Sequence, residues 1–418
     1  MIFKGIPYLQ TILTLLLCGT AFTARAQADS AEPADSCYPE IICPDSNRLG
    51  GNVAALEPLF QKLEALEKKD TTAVISILQI GDSHIQAGFF SNEVRENLQR
   101  EFGNAGRGLI VPLKLAGTNE PPDYAITSPN SWNRSNCITR AATEEPGMSG
   151  MSIVTYDRHI ELDIKTKEPF DRIWAFHHRE APLLTVPDSL SDGICCPALD
   201  NDEMTLIPLS RPVEQIRLCA SVADSSFAHS AFYGFSLENG RSGVLYHSFG
   251  INGNTYAAIN RNPQIVRQAS GLCPDLVIVS LGTNDSYGAS FDPADADVQI
   301  TRLIDSIRRN MPASVLLLTT PMEHCRRIRS KGRTYRKPNP NACAMRECIL
   351  RQAVWDFYAA AGGDGAMGRW ADLGIANADR VHLSREGYRL QGKLFYDAIM
   401  KAYDHYRKHN GELKILLN

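Results

Sequence analysis

"ILQIGDSHIQAG", residues 77–88, runs from an apolar stretch straight into Gly-Asp-Ser-His. "FFSNEVRENLQREFG" follows, with Phe90, Val94, Leu98 and Phe102 near helical spacing. A short apolar run closed by a glycine-containing turn reads as a buried strand, so the segment predicts strand, turn and helix. Ser83 falls at the turn, where the first N–H groups of a helix point at whatever lies beyond the strand end. Asp, Ser and Gly also cap helices and permit positive φ, and the tetrapeptide taken alone reads first as a capping turn. The rest of the chain decides between a cap and a nucleophile.

Upstream, "NVAALEPLFQKLEALEKKD" places Val53, Leu56, Leu59, Phe60, Leu63 and Leu66 on one helical face. Helix, strand and helix in this order begin an α/β layer structure. The pattern resumes at "GVLYHSFGINGNTY" and continues through "DLVIVSLGTND" and "ASVLLLTTP". Continuous apolar strands of this kind are buried on both faces of a parallel sheet, and ligands bind beyond their carboxyl ends. Between the two α/β stretches, "MSIVTYDRHIELDIK", "DRIWAFHH", "EQIRLCASVA" and "AFYGFSLEN" are short, β-branched or aromatic, and separated by turn residues. They predict an inserted all-β unit, read as a β-sandwich. Its Trp132, Trp174, His177 and His178 fit either a core or a carbohydrate-binding face.

The 418 residues, 44% hydrophobic and 22% charged, describe a globular chain with a sizeable core. The N-terminus carries Lys4, an apolar core from Ile12 to Leu17 and "ARAQA", the pattern of a secretory signal cleaved after Ala26. Leu17 stands before Cys18 where a lipoprotein signal has a small residue, which disfavours a lipid anchor. The expected location is therefore periplasmic or extracellular. Cleavage removes Lys4 and Arg25 and no acid, taking the formal net charge from −4 to −6. Such a chain does not hold nucleic acid or an anionic membrane by bulk charge. Ten of the 11 cysteines remain. An even number in an oxidising compartment predicts disulfides, with Cys37 and Cys43 the first candidate pair and at least one of Cys195 and Cys196 paired elsewhere. "CAMREC" lies on a helical pattern without the CxxC spacing of a zinc site, so no metal and no cofactor is expected.

Four predicted strand ends carry polar motifs: Gly81-Asp82-Ser83-His84, Gly250-Ile251-Asn252-Gly253, Gly282-Thr283-Asn284-Asp285, and "ADRVHLS" with Asp379 and His382. A serine attacks only when a base takes its proton. His382 is the candidate base and Asp379, three residues earlier, the group that orients its imidazole. The oxyanion needs donors, for which the backbone N–H groups of Ser83 and Gly253 and the side-chain amide of Asn284 are the candidates. Asp82 reads as a local turn or cap.

The blocks "GDSH", "GINGNT", "GTND" and "DRVHLS", in that order, resemble the four signature blocks of the SGNH (GDSL-type) hydrolases. The resemblance implies Ser83, Gly253, Asn284 and His382 as the four namesake residues, with Asp379 completing the triad. It also implies a three-layer α/β/α fold of flavodoxin-like type, with residues 52–105 and 241–418 forming the hydrolase part around a β insertion at 106–240. Residues 1–26 would be the signal peptide and 27–51 a Cys-containing lead. His84 in place of the Leu or small residue of many members, together with the β insertion, resembles the exported bacterial branch that removes O-acetyl groups from peptidoglycan. The function implied is an exported serine esterase acting on an acetylated glycan. A lipase of the same fold and a non-catalytic glycan-binding module are the alternatives.

Substrate contacts are sought at His84, at Trp174, and at Arg326, Arg327 and Arg329. The three arginines belong to "HCRRIRSKGRTYRK", which holds seven Lys or Arg after a strand end. Each has an ordinary reading as well: a hydrogen-bonding turn residue, a core aromatic and a solvated charged loop.

Overall fold

A computed structural model describes residues 40–416 apart from 70, 141–143, 193–195, 199–200 and 224–226. The signal region, Cys37 and Cys195 lie outside the described residues. The apolar run of the opening motif is the strand Val74–Gly81. It lies inside a six-stranded sheet ordered Leu49–Gly50, Val354–Trp355, Val315–Thr319, Leu276–Ser280, Val74–Gly81, Gly243–Gly250. All neighbouring pairs are parallel except the short Leu49–Gly50 edge. Gln79 is the one side chain of its strand that interrupts the inward-facing apolar residues of its face. Its amide donates to Ser280 Oγ at 3.0 Å and accepts from Tyr246 O–H at 2.9 Å, so the buried group is satisfied and ties three strands together.

The side-chain alternation of these strands feeds two apolar cores. Ile75, Ile77, Leu276, Ile278 and Leu317 pack with residues of the helices Glu57–Glu67, Phe89–Phe102 and Arg385–Leu416. On the helix Phe89–Phe102 the predicted face is buried at Phe90, Val94, Leu98 and Phe102. Each such side chain contributes about 1.5–3 kcal/mol by leaving water. Leu78, Ile80, Val277, Val279 and Leu318 face the other way, toward Ile300, Leu303, Ile304 and Ile307 of the helix Pro293–Asn310.

That second core continues without a break into the β structure, through Ile153, Ile160, Leu162, Ile164, Phe232 and Phe235. The β strands form one hydrogen-bonded eight-stranded sheet. Its spine is the long antiparallel pair His159–His177 and Asn201–Ser221, whose register shifts between Lys165 and Arg172. Several short strands expected from the turn residues are thus merged into two long bulged ones, because a bulge lets a ladder continue past residues that read as a break.

An ionic cluster joins the β structure to the helix behind the Ser83 turn. Arg95, 1% exposed, lies 3.2 Å from Asp123, which also accepts from Arg107 Nε at 2.9 Å. Glu168 Oε1 closes on Arg95 Nη1 at 2.5 Å. The two guanidinium groups hold the Asp123 carboxyl down at about 2 against the opposing effect of burial.

Two expectations are corrected here. Cys43, Cys137, Cys219, Cys273, Cys325, Cys343 and Cys348 are free thiols, Cys43 included, although it was the expected partner of Cys37. Their sulfurs are placed to serve local bonds, as where Cys137 Sγ meets Asn254 Oδ1 at 3.5 Å and Cys348 Sγ meets Ala344 O at 3.3 Å. The basic stretch read as a solvated loop is a β-hairpin, Cys325–Ser330 paired with Arg333–Pro338. Lys331 (φ 48°) and Gly332 (φ 74°) form its turn, the double positive-φ geometry that two-residue hairpins favour. The helical pattern over "CAMREC" is the helix Asn341–Ile349.

Candidate active site

Three parallel strands end level with one another, Gly81 opposite both Gly250 and Ser280. This register brings the first three polar motifs to one edge of the sheet. The turn after Gly81 fits there because Gly250 has no side chain: a Cβ on it would stand 2.3 Å from Asp82 O and 2.6 Å from Gln86 N. Asp82 caps the one-turn helix Ser83–Gln86 by accepting from His84 N at 2.9 Å. The capping reading of the tetrapeptide thus belongs to Asp82 and leaves Ser83 free for other work.

The fourth motif, expected at a strand end, lies instead in the loop before the helix Arg385–Leu416. Asn377 N donates to His382 O at 2.8 Å and Ser384 N to Ile375 O at 3.0 Å, which fold that loop onto itself. Ser83 Oγ lies 2.9 Å from His382 Nε2, and His382 Nδ1 lies 2.7 Å from Asp379 Oδ2. Asp379 Oδ1 accepts from Val381 N at 2.9 Å and from His382 N at 3.0 Å. Burial works against the Asp379 charge, but the hydrogen bonds from the His382 ring and the two backbone N–H groups hold its carboxyl below the usual range.

The second and third motifs are locked to the first. Asn254 donates to Gly81 O at 3.0 Å, and Asn284 Nδ2 donates to Asn254 O at 3.0 Å and reaches Asp82 Oδ2 at 3.3 Å. Gly253 holds φ at +83°, a left-handed conformation that turns the chain beside Ser83. For Asn284 to stabilise an oxyanion, one amide hydrogen must leave the longer contact with Asp82. Beneath this network lie two buried carboxyls. Burial pushes Asp82 up to about 7, and it pushes Asp285 up to about 7 with the charge of Asp82 adding to the effect.

An open cleft of about 420 Å³ lies in front of the serine, lined by Ser83, Phe89, Asn119, Asn252, Asn377, His382 and Arg385 among others. Asn119 comes from the β part of the chain. It is held by Gln86, whose Nε2 donates to Asn119 Oδ1 and Thr118 Oγ1, each at 2.8 Å, while Gln86 Oε1 accepts from Asn252 N at 2.8 Å. Asn119, Gln86, Phe89 and Arg385 carry no motif and were not singled out in the sequence. They meet through contacts such as Gln86 to Asn119, 33 residues apart.

The expected substrate contacts fall elsewhere. His84 lies behind His382, their rings stacked with centroids 5.3 Å apart. Its Nδ1 lies 3.1 Å from the Tyr388 hydroxyl, and burial pushes its pKa down to about 3. It borders an interior cavity of about 30 Å³ together with Asp82, His324 and Gln391, and does not line the cleft. Burial in the turn, which the sequence could not display, accounts for the difference. Arg326, Arg327 and Arg329 also lie off the cleft wall. Their hairpin is nevertheless rooted at the loop that carries Asp379 and His382, since Cys325 N donates to Arg380 O at 2.8 Å. Trp174 is half-buried and borders a separate groove of about 610 Å³ with Arg172, Arg211 and Glu238.

Residues 224–390 match the GDSL-like Lipase/Acylhydrolase family. No curated protein sequence matches the chain. Among solved structures, a peptidoglycan O-acetylesterase is similar in fold, with a TM-score of 0.68 at 20% identity over 85% of this chain and 98% of that one. A lipase/acylhydrolase from Enterococcus faecalis (TM-score 0.29, 21% identity, 38% of this chain and 76% of that one) also matches. So does an acetyl xylan esterase (TM-score 0.30, 17% identity, 37% and 81%).

Proposed function

With residues 224–390 of the GDSL-like lipase/acylhydrolase family, we propose that the chain is an exported serine esterase that removes O-acetyl groups from a carbohydrate polymer, peptidoglycan first among the candidates. The observation that carries this reading is the relay from Asp379 through His382 to Ser83 Oγ, at 2.7 and 2.9 Å, opening on a polar cleft. The fold is read as a three-layer α/β/α hydrolase with the β structure of 106–240 inserted. Export rests on the pattern of residues 1–26.

In the mechanism, His382 Nε2 takes the Ser83 hydroxyl proton as Oγ bonds to the acetyl carbonyl carbon. The carbonyl electron pair moves to oxygen, where the N–H groups of Ser83 and Gly253 and the amide of Asn284 are assigned to receive it. Collapse breaks the bond to the sugar oxygen, which leaves with the proton from His382. Water, deprotonated in turn by His382, then attacks the carbonyl carbon of acetyl-Ser83, and collapse breaks the bond to Oγ, which takes the proton back from His382 as acetate is released. Asp379 stabilises the imidazolium in both halves.

The glycan substrate is supported by the likeness to a peptidoglycan O-acetylesterase, which spans 85% of this chain and so takes in β structure as well as the hydrolase part. Purified mature protein should release acetate from O-acetylated peptidoglycan and none from the chemically de-acetylated polymer. Ser83→Ala should lower that release by several orders of magnitude while retaining polymer binding. Labelling of a serine other than Ser83 by an organophosphonate would overturn the mechanism, and faster hydrolysis of long-chain esters than of acetyl glycan would overturn the substrate.

A further inference from the structure

We infer that the cleft selects a saccharide that bears a carboxylate, gripped by Arg385 in a lining that also holds the amides of Asn119 and Asn252. This rests on the esterase reading and names the kind of glycan that reading leaves open.

The charge of the cleft is one-sided. Its lining contains no Asp or Glu, and Arg385 is its single permanent cation. Asp379, the nearest acid in the catalytic relay, sits behind His382 and is engaged by the His382 ring and two backbone N–H groups. Among the described residues no carboxylate stands within ion-pair distance of Arg385, and the adjacent Glu386 is directed to Arg389 at 3.8 Å. The Arg385 guanidinium lies instead over the Phe89 ring, 4.9 Å from its centroid. Stacking of this kind orients the flat group and leaves its in-plane N–H donors to an incoming acceptor, the geometry in which arginine binds carboxylates two-pronged. A lysine or an unstacked arginine would present a looser charge.

The rest of the polar lining is neutral, and within it Asn119 donates while the Asn252 NH₂ is engaged by Thr118 and Asn119. Asn119 Oδ1 accepts from Gln86 Nε2 at 2.8 Å and from Asn252 Nδ2 at 3.2 Å, so the free end of the Asn119 amide is its NH₂. Asn377 adds another amide to the lining. Such donors match ring and acetamido oxygens, and they give nothing to a long alkyl chain. An acetyl group at Ser83 therefore comes from a sugar whose oxygens meet the amides and whose carboxylate, on the same or the neighbouring unit, meets Arg385.

The test uses two O-acetylated saccharides identical except that one carries a free carboxylate and the other its carboxamide. Wild-type protein should favour the carboxylate in kcat/KM by about tenfold, a preference that shrinks as salt rises. Arg385→Gln should bring the ratio of the two substrates close to one, and Arg385→Lys should restore part of it. Binding of the same pair to Ser83→Ala, measured by calorimetry with and without Arg385→Gln, reads the preference without turnover. A wild-type ratio near one, or the same ratio in Arg385→Gln, overturns the inference. Failure of the wild type to hydrolyse either saccharide or p-nitrophenyl acetate, with the binding preference intact, overturns the esterase reading and leaves this one standing.

Discussion

Replacing Asp379 by Asn should lower kcat by about a thousandfold while leaving the fold intact, and the structure explains why so small a change is so costly. Asp379 uses its two oxygens differently: Oδ1 accepts from Val381 N and His382 N, and Oδ2 faces His382 Nδ1. An asparagine keeps the two backbone bonds only with its oxygen at the Oδ1 position, which points its NH₂ at Nδ1. Turning the amide over would forfeit two hydrogen bonds of about 1 kcal/mol each. With an N–H donor facing it, Nδ1 must accept, the ring proton moves to Nε2, and Nε2 can no longer accept the proton of Ser83. The wrong tautomer is thus favoured by about 2 kcal/mol, and the lost attraction for the imidazolium adds about 1–4 kcal/mol, the lower end applying because both side chains are more than a third exposed. With that lower end the sum of about 3–4 kcal/mol corresponds to a factor of roughly 10²–10³. Steady-state hydrolysis of p-nitrophenyl acetate gives kcat and KM separately, and a thermal melt checks that the loop stays capped. A loss below about tenfold with an unchanged melting temperature would refute the assignment of Asp379 as the orienting group.

Two other perturbations address the surroundings of the triad. Gln86→Leu removes the buried amide that holds Asn119 and Asn252. It should raise KM for acetyl glycan more than it lowers kcat and cost about 1–3 kcal/mol in urea denaturation, from the partners left unsatisfied. Asp285→Asn addresses pH. The Asp285 carboxyl is raised to about 7 when folded and titrates near 3.8 when unfolded, so the unfolded chain releases this proton first. Wild-type stability should therefore decline relative to the variant as pH rises from about 4 to about 7, by up to ~1.4 kcal/mol per unit. Urea midpoints of both proteins at pH 5 and 8 measure this, and a pH-independent difference would show that Asp285 is not protonated in the fold.

The parts of this site that could be read from sequence are those whose chemistry and position are both local. Ser83, Gly253, Asn284 and the Asp379–His382 pair each stand next to an apolar strand or helix start, and parallel strands place such points at one edge. Asn119 and Arg385 carried no such flag. Asn119 is held at the cleft by a buried glutamine in the Ser83 turn, and Arg385 lies over a phenylalanine nearly 300 residues away in the chain. The basic hairpin was misread because its alternation is carried by charged side chains on both faces, where the period of two is silent. The thiols were misread because counting cysteines says nothing of the distance between them.

The buried pair of arginines around Asp123 bears on how such a protein could have been put together. Arg95 belongs to the helix that follows the Ser83 turn, while Asp123, Arg107 and Glu168 belong to the β structure. Excising that structure would strand a guanidinium with 1% of its surface exposed, at a penalty of several kcal/mol, and would strip the wall from one side of the cleft. The helix Phe89–Phe102 and the β structure thus depend on one another through this buried cluster. A chimera carrying the β part of another protein would need to bring its own carboxylate to the same spot beside Arg95.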